Sequence, residues 1–255
     1  MIRLEEVSKI FGETVLAVDR VSFTVEKGEL MVLVGESGSG KTTTLKMINR
    51  LIESTEGRIF VAGRDTRLQD PVLLRRNVGY VFQKIGLFPH MTVARNVGII
   101  LALDGPQDKS TVSRRVDEVL KLVGLDPELY RDRYPKELSG GQQQRVGVAR
   151  ALAAKPAVVL MDEPFGALDA ITRSRLQKEY LRLHKSLGLT TLMVTHDIAE
   201  AFLLGDRVAV MKDGRVLQLD SPAQLVRSPA DPYVESLLET TLGQLTRLEA
   251  IATKL

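Results

Sequence analysis

The eight residues Gly35-Glu36-Ser37-Gly38-Ser39-Gly40-Lys41-Thr42 constrain this chain more than any other feature. They match the spacing G-x-x-x-x-G-K-[ST], and their flanks suit it. The run Leu30-Met31-Val32-Leu33-Val34 precedes them and reads as a strand buried on both faces, while residues 41–51 read as a helix. A strand, a glycine turn and a helix start together make a concave ring of backbone N–H groups. Glycine permits the bend, and the helix terminus adds unpaired N–H groups and a dipole that favours negative charge. Such a ring suits a polyphosphate, with Lys41 as the point charge on its outer phosphates and the Thr42 hydroxyl on Mg²⁺.

Around this loop the pattern is that of a strand-rich core. Residues 2–7 and 21–25 alternate as strands with one wet face, and 57–62, 78–82, 157–161, 192–195 and 208–211 read as further strands. Lys212-Asp213-Gly214-Arg215 signals a hairpin into 216–219. Between 88 and 154 the strand signal disappears, and 92–103, 110–123 and 140–154 read as helices. The expected organisation is therefore a core from 1–87 and 155–238, a helical insert at 88–154, and a tail at 239–255. In the tail Leu242, Leu245, Leu248 and Ile251 fall three apart and predict one amphipathic helix lying on the body.

A second site signal is the apolar run Val158-Val159-Leu160-Met161 ending in Asp162-Glu163. In an open parallel sheet, ligands bind at the carboxyl ends of strands, beside the phosphate loop. Neighbouring residues on a strand face opposite ways, so the two acids are expected to have different tasks. Asp162 is the candidate Mg²⁺ partner, through water, and Glu163 the candidate base or orienter of the water that attacks the terminal phosphate.

Farther on, Leu138-Ser139-Gly140-Gly141-Gln142 opens a long helix, with Ser139 as its N-cap. This is a second helix start suited to an anion. With this segment the chain resembles the ATP-binding-cassette ATPases, whose signature LSGGQ is intact here. The resemblance runs from Ile2 to about Leu238. It implies an α/β fold, a P-loop NTPase (RecA-like) core with an N-terminal antiparallel β subdomain and an inserted α-helical subdomain. It also implies ATP and Mg²⁺ as ligands and a head-to-tail homodimer in which residues 139–142 of one subunit cover the nucleotide on the other.

The resemblance further assigns individual residues. Phe11 is similar to the aromatic that stacks on adenine, though by itself it also reads as a core aromatic after a strand. Gln83 corresponds to the glutamine that touches Mg²⁺ and the attacking water; its amide offers an acceptor to one and a donor to the other. Asp169 lies in a segment that resembles the family's loop for communication between subunits, His196 corresponds to the histidine on the γ-phosphate, and Thr43 extends the phosphate-binding run. His90 and His184 have no such context and read as structural.

Residues 80–93 and 163–169 resemble bacterial importers, and 46–52 adds a resemblance to their osmoprotectant group, which takes up glycine betaine, choline or carnitine through separate membrane permease subunits and a substrate-binding protein. Importers of polar amino acids, sulfonates or polyamines stay open, as does an ATPase acting on DNA or ribosomes. Many osmoprotectant relatives continue into a tandem regulatory domain, for which residues up to Leu255 leave no room. Composition narrows the rest. Lys and Arg total 35 against 32 acids, a balance that argues against a nucleic-acid partner. No cysteine is present, which excludes disulfides and thiolate metal sites. No signal peptide or membrane span is legible, so the expected location is peripheral, on the cytoplasmic face of the inner membrane.

Overall fold

The computed structural model describes residues 1–12, 14–83, 86–103, 108–239 and 243. Strands β1 (Ile2–Phe11), β2 (Val15–Val25), β4 (Glu56–Val61) and β5 (Arg64–Asp65) form an antiparallel sheet in the order β2-β1-β4-β5. The second sheet holds β3 (Leu30–Val34), β6 (Val78–Val81), β7 (Val158–Asp162), β8 (Thr191–Thr195), β9 (Arg207–Lys212) and β10 (Arg215–Asp220). Its order is β10-β9-β3-β8-β7-β6, parallel except for β10, which returns antiparallel to β9.

The helices are α1 (Lys41–Ile48), α2 (Pro71–Arg76), α3 (Val93–Ala102), α4 (Lys109–Leu122), α5 (Pro127–Tyr130), α6 (Gly140–Leu152), α7 (Ala170–Leu187), α8 (Ile198–Leu204) and α9 (Pro222–Arg227). Residues 232–239 are also helical. The tail positions Leu242, Leu245, Leu248 and Ile251, and Lys84 and Ile85 in the segment after β6, lie outside the described residues.

The continuous apolar run of β3 has a simple cause. Leu30, Val32 and Val34 belong to a core shared with α3, α4, α6 and α8, whereas Met31 and Leu33 belong to a second core with β1, β2 and α1. Both faces of the strand are covered, so every position is apolar. The same two-sided burial holds for β7 and β8. Between β6 and β7 the described chain is helical, and α6 closes tightly on β6. At Gly79 a Cβ would lie 2.6 Å from the Ala151 carbonyl oxygen.

Two features go beyond the sequence patterns: a β1–β2 hairpin longer than its alternation indicates, and α7, a helix those patterns do not announce. The β1–β2 hairpin extends to Phe11 and back from Val15, but its register shifts near Val7 and Lys9, and Glu6 and Arg20 take positive φ of 47° and 45°. These bulges break the alternation of sides that marks a strand in sequence. The 18-residue α7 has only Leu176, Gln177, Tyr180 and His184 buried, two of them polar, so its apolar stripe is faint. His184 is buried at 3% exposure beside the Tyr180 ring, as its structural reading expects.

Candidate functional site

The site assembles at the carboxyl ends of β3, β6, β7 and β8. After β3 the chain turns through Gly35, Gly38 and Gly40, with φ of 154°, 86° and 97°. Glycine is required at two of these for space as well. A Cβ would meet the Met211 carbonyl oxygen at 2.1 Å on Gly35, and the Ala17 carbonyl oxygen at 2.6 Å on Gly40. Gly40 caps α1 in the left-handed region with no side-chain bond, so no side chain screens the first N–H groups of that helix. Ser37 and Gly38 lie on the exposed crown of the turn, while Ser39 is buried and Thr43 half-buried.

Lys41 is buried inside the ring. Its Nζ donates to the Gly35 and Glu36 carbonyl oxygens at 2.8 and 2.6 Å and to Ser39 Oγ at 3.2 Å. Burial lowers its pKa, and the carboxylates of Glu163, Asp162 and Glu36 act in the other direction.

Two clusters stand beside the ring. Thr42 Oγ1 donates to Asp162 Oδ1 at 2.8 Å, which ties the start of α1 to the end of β7 across the intervening β8. Asp162 is 5% exposed, and its pKa is raised chiefly by burial, against the bond from Thr42 and the charge of Lys46. In the second cluster Gln83 Nε2 donates to Glu163 Oε2 at 2.9 Å, and His196 Nδ1 lies 3.3 Å from Glu163 Oε1. The structure therefore joins Thr42 with Asp162, and Gln83 with Glu163 and His196.

The separation of the two acids has a different origin from the pleat argument made on sequence. Asp162 is the last residue of β7, and Glu163 stands beyond it at φ 44°, in the left-handed region. A turn at Glu163, closed by Gly166 N–H to the Glu163 carbonyl at 3.2 Å, sends its side chain toward Gln83 and His196. Positive φ in a non-glycine residue is uncommon and gathers at functional sites.

The signature segment sits apart from these clusters. Ser139 N-caps α6 through a reciprocal box with Gln142, in which Ser139 Oγ accepts from Gln142 N at 3.3 Å and Gln142 Oε1 from Ser139 N at 2.9 Å. Gln142 Nε2 donates to the Tyr130 hydroxyl. Gly140 and Gly141 lie against α7 and its leading loop, where added Cβ atoms would be 3.7 Å from Leu168 and 2.7 Å from Thr172. Among the described residues no hydrogen bond joins 139–142 to the phosphate-type loop. Asp169 caps α7 by accepting from Thr172 N at 3.0 Å, which lowers its pKa. Phe11, at the hairpin end of β1, is 40% exposed with Lys9 Nζ 5.0 Å over its ring. His90, outside the cluster, lies edge-on to Phe88.

Several positioning residues carry no sequence signal. Arg173 Nη2 donates to the Leu168 carbonyl at 3.1 Å, and its Nη1 lies 3.7 Å from Asp197, the residue after His196. Gln177 Nε2 donates to the buried Glu200 at 2.7 Å, a second tie between α7 and α8. Arg150 Nη1 donates to the Gly86 carbonyl at 2.7 Å and so holds Gly86 against α6. Asn96 is fully buried and bonds four backbone groups of residues 88–92, which fixes the loop leading into α3. Only a preceding glycine turn or a strand end makes such a residue conspicuous in sequence, and these have neither.

Residues 18–166 match the ABC transporter family. The chain is 51% identical over 238 residues to the glycine betaine/carnitine/choline transport ATP-binding protein OpuCA of Bacillus subtilis, an alignment covering 93% of this chain and 62% of that protein. It is 47% identical over 254 residues to the glycine betaine uptake system ATP-binding protein YehX of Escherichia coli, covering 99% and 82%. A solved ATP-binding cassette, a dimer in a post-hydrolysis state bound to ADP and Pi, superposes with a TM-score of 0.77 at 36% identity, over 87% of this chain and 98% of that one. The chain spans about three fifths of the length of the OpuCA relatives it matches, at 59% and 62%.

Proposed function

From the premise that this chain belongs to the ABC transporter family, we propose that it is the ATP-hydrolysing subunit of an importer for osmoprotectants of the quaternary-amine class. The observation that carries the reading is the paired cluster at the strand ends: Thr42 with Asp162, and Gln83 with Glu163 and His196, beside a buried lysine in a glycine ring. The names of the relatives support the solute class.

The residues suit magnesium. Thr42, Asp162 and Gln83 offer a hydroxyl, a carboxylate and an amide oxygen, all hard donors, and a site with one carboxylate leaves room for phosphate oxygens and water. Bound there, Mg²⁺ supplies neutralisation of the charge that develops on the β- and γ-phosphates. Lys41 leaves its three loop acceptors for phosphate oxygens. The free N–H groups at Gly40–Thr42 receive the phosphate chain, with Ser37, Gly38, Ser39 and Thr43 around it, and Phe11 stacks on adenine. Glu163 orients the attacking water and takes its proton. Gln83 and His196 hold the Glu163 carboxylate, and His196 reaches the γ-phosphate. Across a homodimer, Ser139–Gln142 and Asp169 of one subunit complete the nucleotide site of the other, which explains a capped, glycine-bared helix start with no phosphate loop beside it in its own chain. The stroke passes through the helical subdomain at 88–154, hinged on the core at 1–87 and 155–238, to membrane permease subunits that a separate binding protein loads. No described helix is long and apolar enough to cross a membrane, which suits a peripheral position on the cytoplasmic face.

The test is purification of the chain from its own cells with its membrane partners, then reconstitution in vesicles. ATP-dependent, Mg²⁺-dependent uptake of radiolabelled glycine betaine, choline or carnitine is expected. Hydrolysis coupled to a polar amino acid or polyamine instead overturns the solute class, and co-purification with ribosomes or DNA overturns the importer.

A further inference from the structure

On the face of α6 away from its first turn, a recess of about 510 Å³ opens between the end of α4, α6 and α7. Its volume is within the ordinary range for small-molecule sites, about 300–1,000 Å³. The floor is apolar, built from Val148, Phe165, Leu176 and Leu183. Among the described residues, two polar atoms of the lining are buried without a hydrogen bond: Glu179 Oε2, which is ion-paired with Arg145, and Gln144 Nε2. Gln144 is 3% exposed, and its Nε2 has no hydrogen-bond partner among the described residues. An amide donor buried without an acceptor costs about 1–3 kcal/mol, so the site is incomplete as it stands.

The charges around the recess say which acceptor suits it. The lining carries three cations, Lys121, Arg145 and Arg182, against one carboxylate, Glu179. Arg145 is committed, pairing with Glu179 and donating to the Val123 carbonyl. The side chains of Lys121 and Arg182 have no ion pair or hydrogen bond among the described residues. A negative group entering here meets uncompensated positive charge and one waiting N–H donor, whereas a cation meets repulsion.

We propose that this recess binds a small amphipathic carboxylate. Its carboxylate accepts from Gln144 Nε2 in the field of Lys121 and Arg182, and its aliphatic tail lies on Val148, Phe165, Leu176 and Leu183. The position gives binding a consequence. Gln144 lies on the same helix as residues 140–142, and Leu176 is on the helix capped by Asp169. An occupant bridges α4 and α6 to α7 and stiffens the junction between helical subdomain and core. Binding itself is independent of the ATPase reading; its effect on turnover rests on that reading.

The experiment is titration calorimetry of the full chain with decanoate, below its aggregation concentration and without nucleotide. Decanol and decyltrimethylammonium serve as probes of the same length and different charge. Saturable 1:1 binding of decanoate is expected, at least tenfold tighter than that of decyltrimethylammonium. The double variant Lys121→Glu/Arg182→Glu is expected to weaken it at least tenfold with Tm unchanged, and Gln144→Leu to weaken it about tenfold. Absence of saturable heat, equal binding of the cationic amphiphile, or undiminished affinity in the charge-reversed variant overturns the site. With Mg–ATP present, decanoate is expected to change kcat at least twofold in the unaltered chain and not in Gln144→Leu. Binding without any change in kcat overturns the coupling and leaves the ATPase reading intact.

Discussion

Replacing Glu163 by Gln separates the chemistry of the site from its architecture. Glutamine has the shape of glutamate, so the substitution needs no extra room and changes only the charge and one acceptor. The amide oxygen can still accept from Gln83 Nε2, now at 2.9 Å, so at most the contact to His196 at 3.3 Å is lost. One hydrogen bond is worth about 1 kcal/mol net, and this carboxylate is partly solvated, so Tm and ATP affinity should hardly move. The chemical loss is larger. A positioned general base contributes about 10²–10⁴-fold, or about 3–5.5 kcal/mol at 1.36 kcal/mol per decade. The assay pairs steady-state phosphate release with sizing chromatography in Mg–ATP. The expected result is a kcat at least a hundredfold lower, ATP binding within about threefold of the unaltered chain, and an ATP-dependent dimer that persists on the column. A kcat within tenfold of the parent refutes the assignment of Glu163 as base. Equal losses of Tm and kcat instead show that the carboxylate holds the turn at positive φ.

Three further outcomes follow from the same geometry. Thr42→Val removes the donor to the buried Asp162; unfolding free energy is expected to fall by about 1–3 kcal/mol in urea titrations, and ATP binding to lose most of its dependence on Mg²⁺ in fluorescence titrations. Arg173→Ala cuts the link from the Leu168 carbonyl to Asp197; kcat is expected to drop severalfold with KM for ATP unchanged, and a fall in nucleotide affinity alone refutes the positioning role. Glu200 has its pKa raised above 4.5, chiefly by burial, so its contribution to stability is fully present below about pH 4.5 and lost as pH rises through the folded-state value. Glu200→Gln removes that loss and keeps an acceptor for Gln177; it is expected to be more stable than the parent at pH 7 and to converge with it near pH 4.5, as read by denaturant midpoints.

Much of the site is written in short stretches, and for that reason it is legible without coordinates. A strand, a glycine turn and a helix start are local structures, so Gly35–Thr42 announce a phosphate-type loop, and Val158–Asp162 announce a strand ending in acid. Ser139 announces a capped helix for the same reason. Gln83 and His196 follow strands but gain meaning only from the resemblance to a family or from the tertiary structure. Their meeting at Glu163 joins residues 80 and 33 positions apart in the chain.

What tertiary structure alone decided is the partner of each lone polar residue. Arg173 could face solvent as easily as Leu168 and Asp197; Gln177 and Glu200 lie 23 residues apart on separate helices. The left-handed turn at Glu163 replaces the pleat as the reason two adjacent acids diverge. The recess over Gln144 exists because three helices pack with a gap there, which no periodicity encodes. Sequence patterns report which face of an element is apolar and where a backbone can bend. Which two buried groups meet is set by the packing of whole elements, because hydrogen bonds and charges depend on ångström distances that the order of residues does not contain.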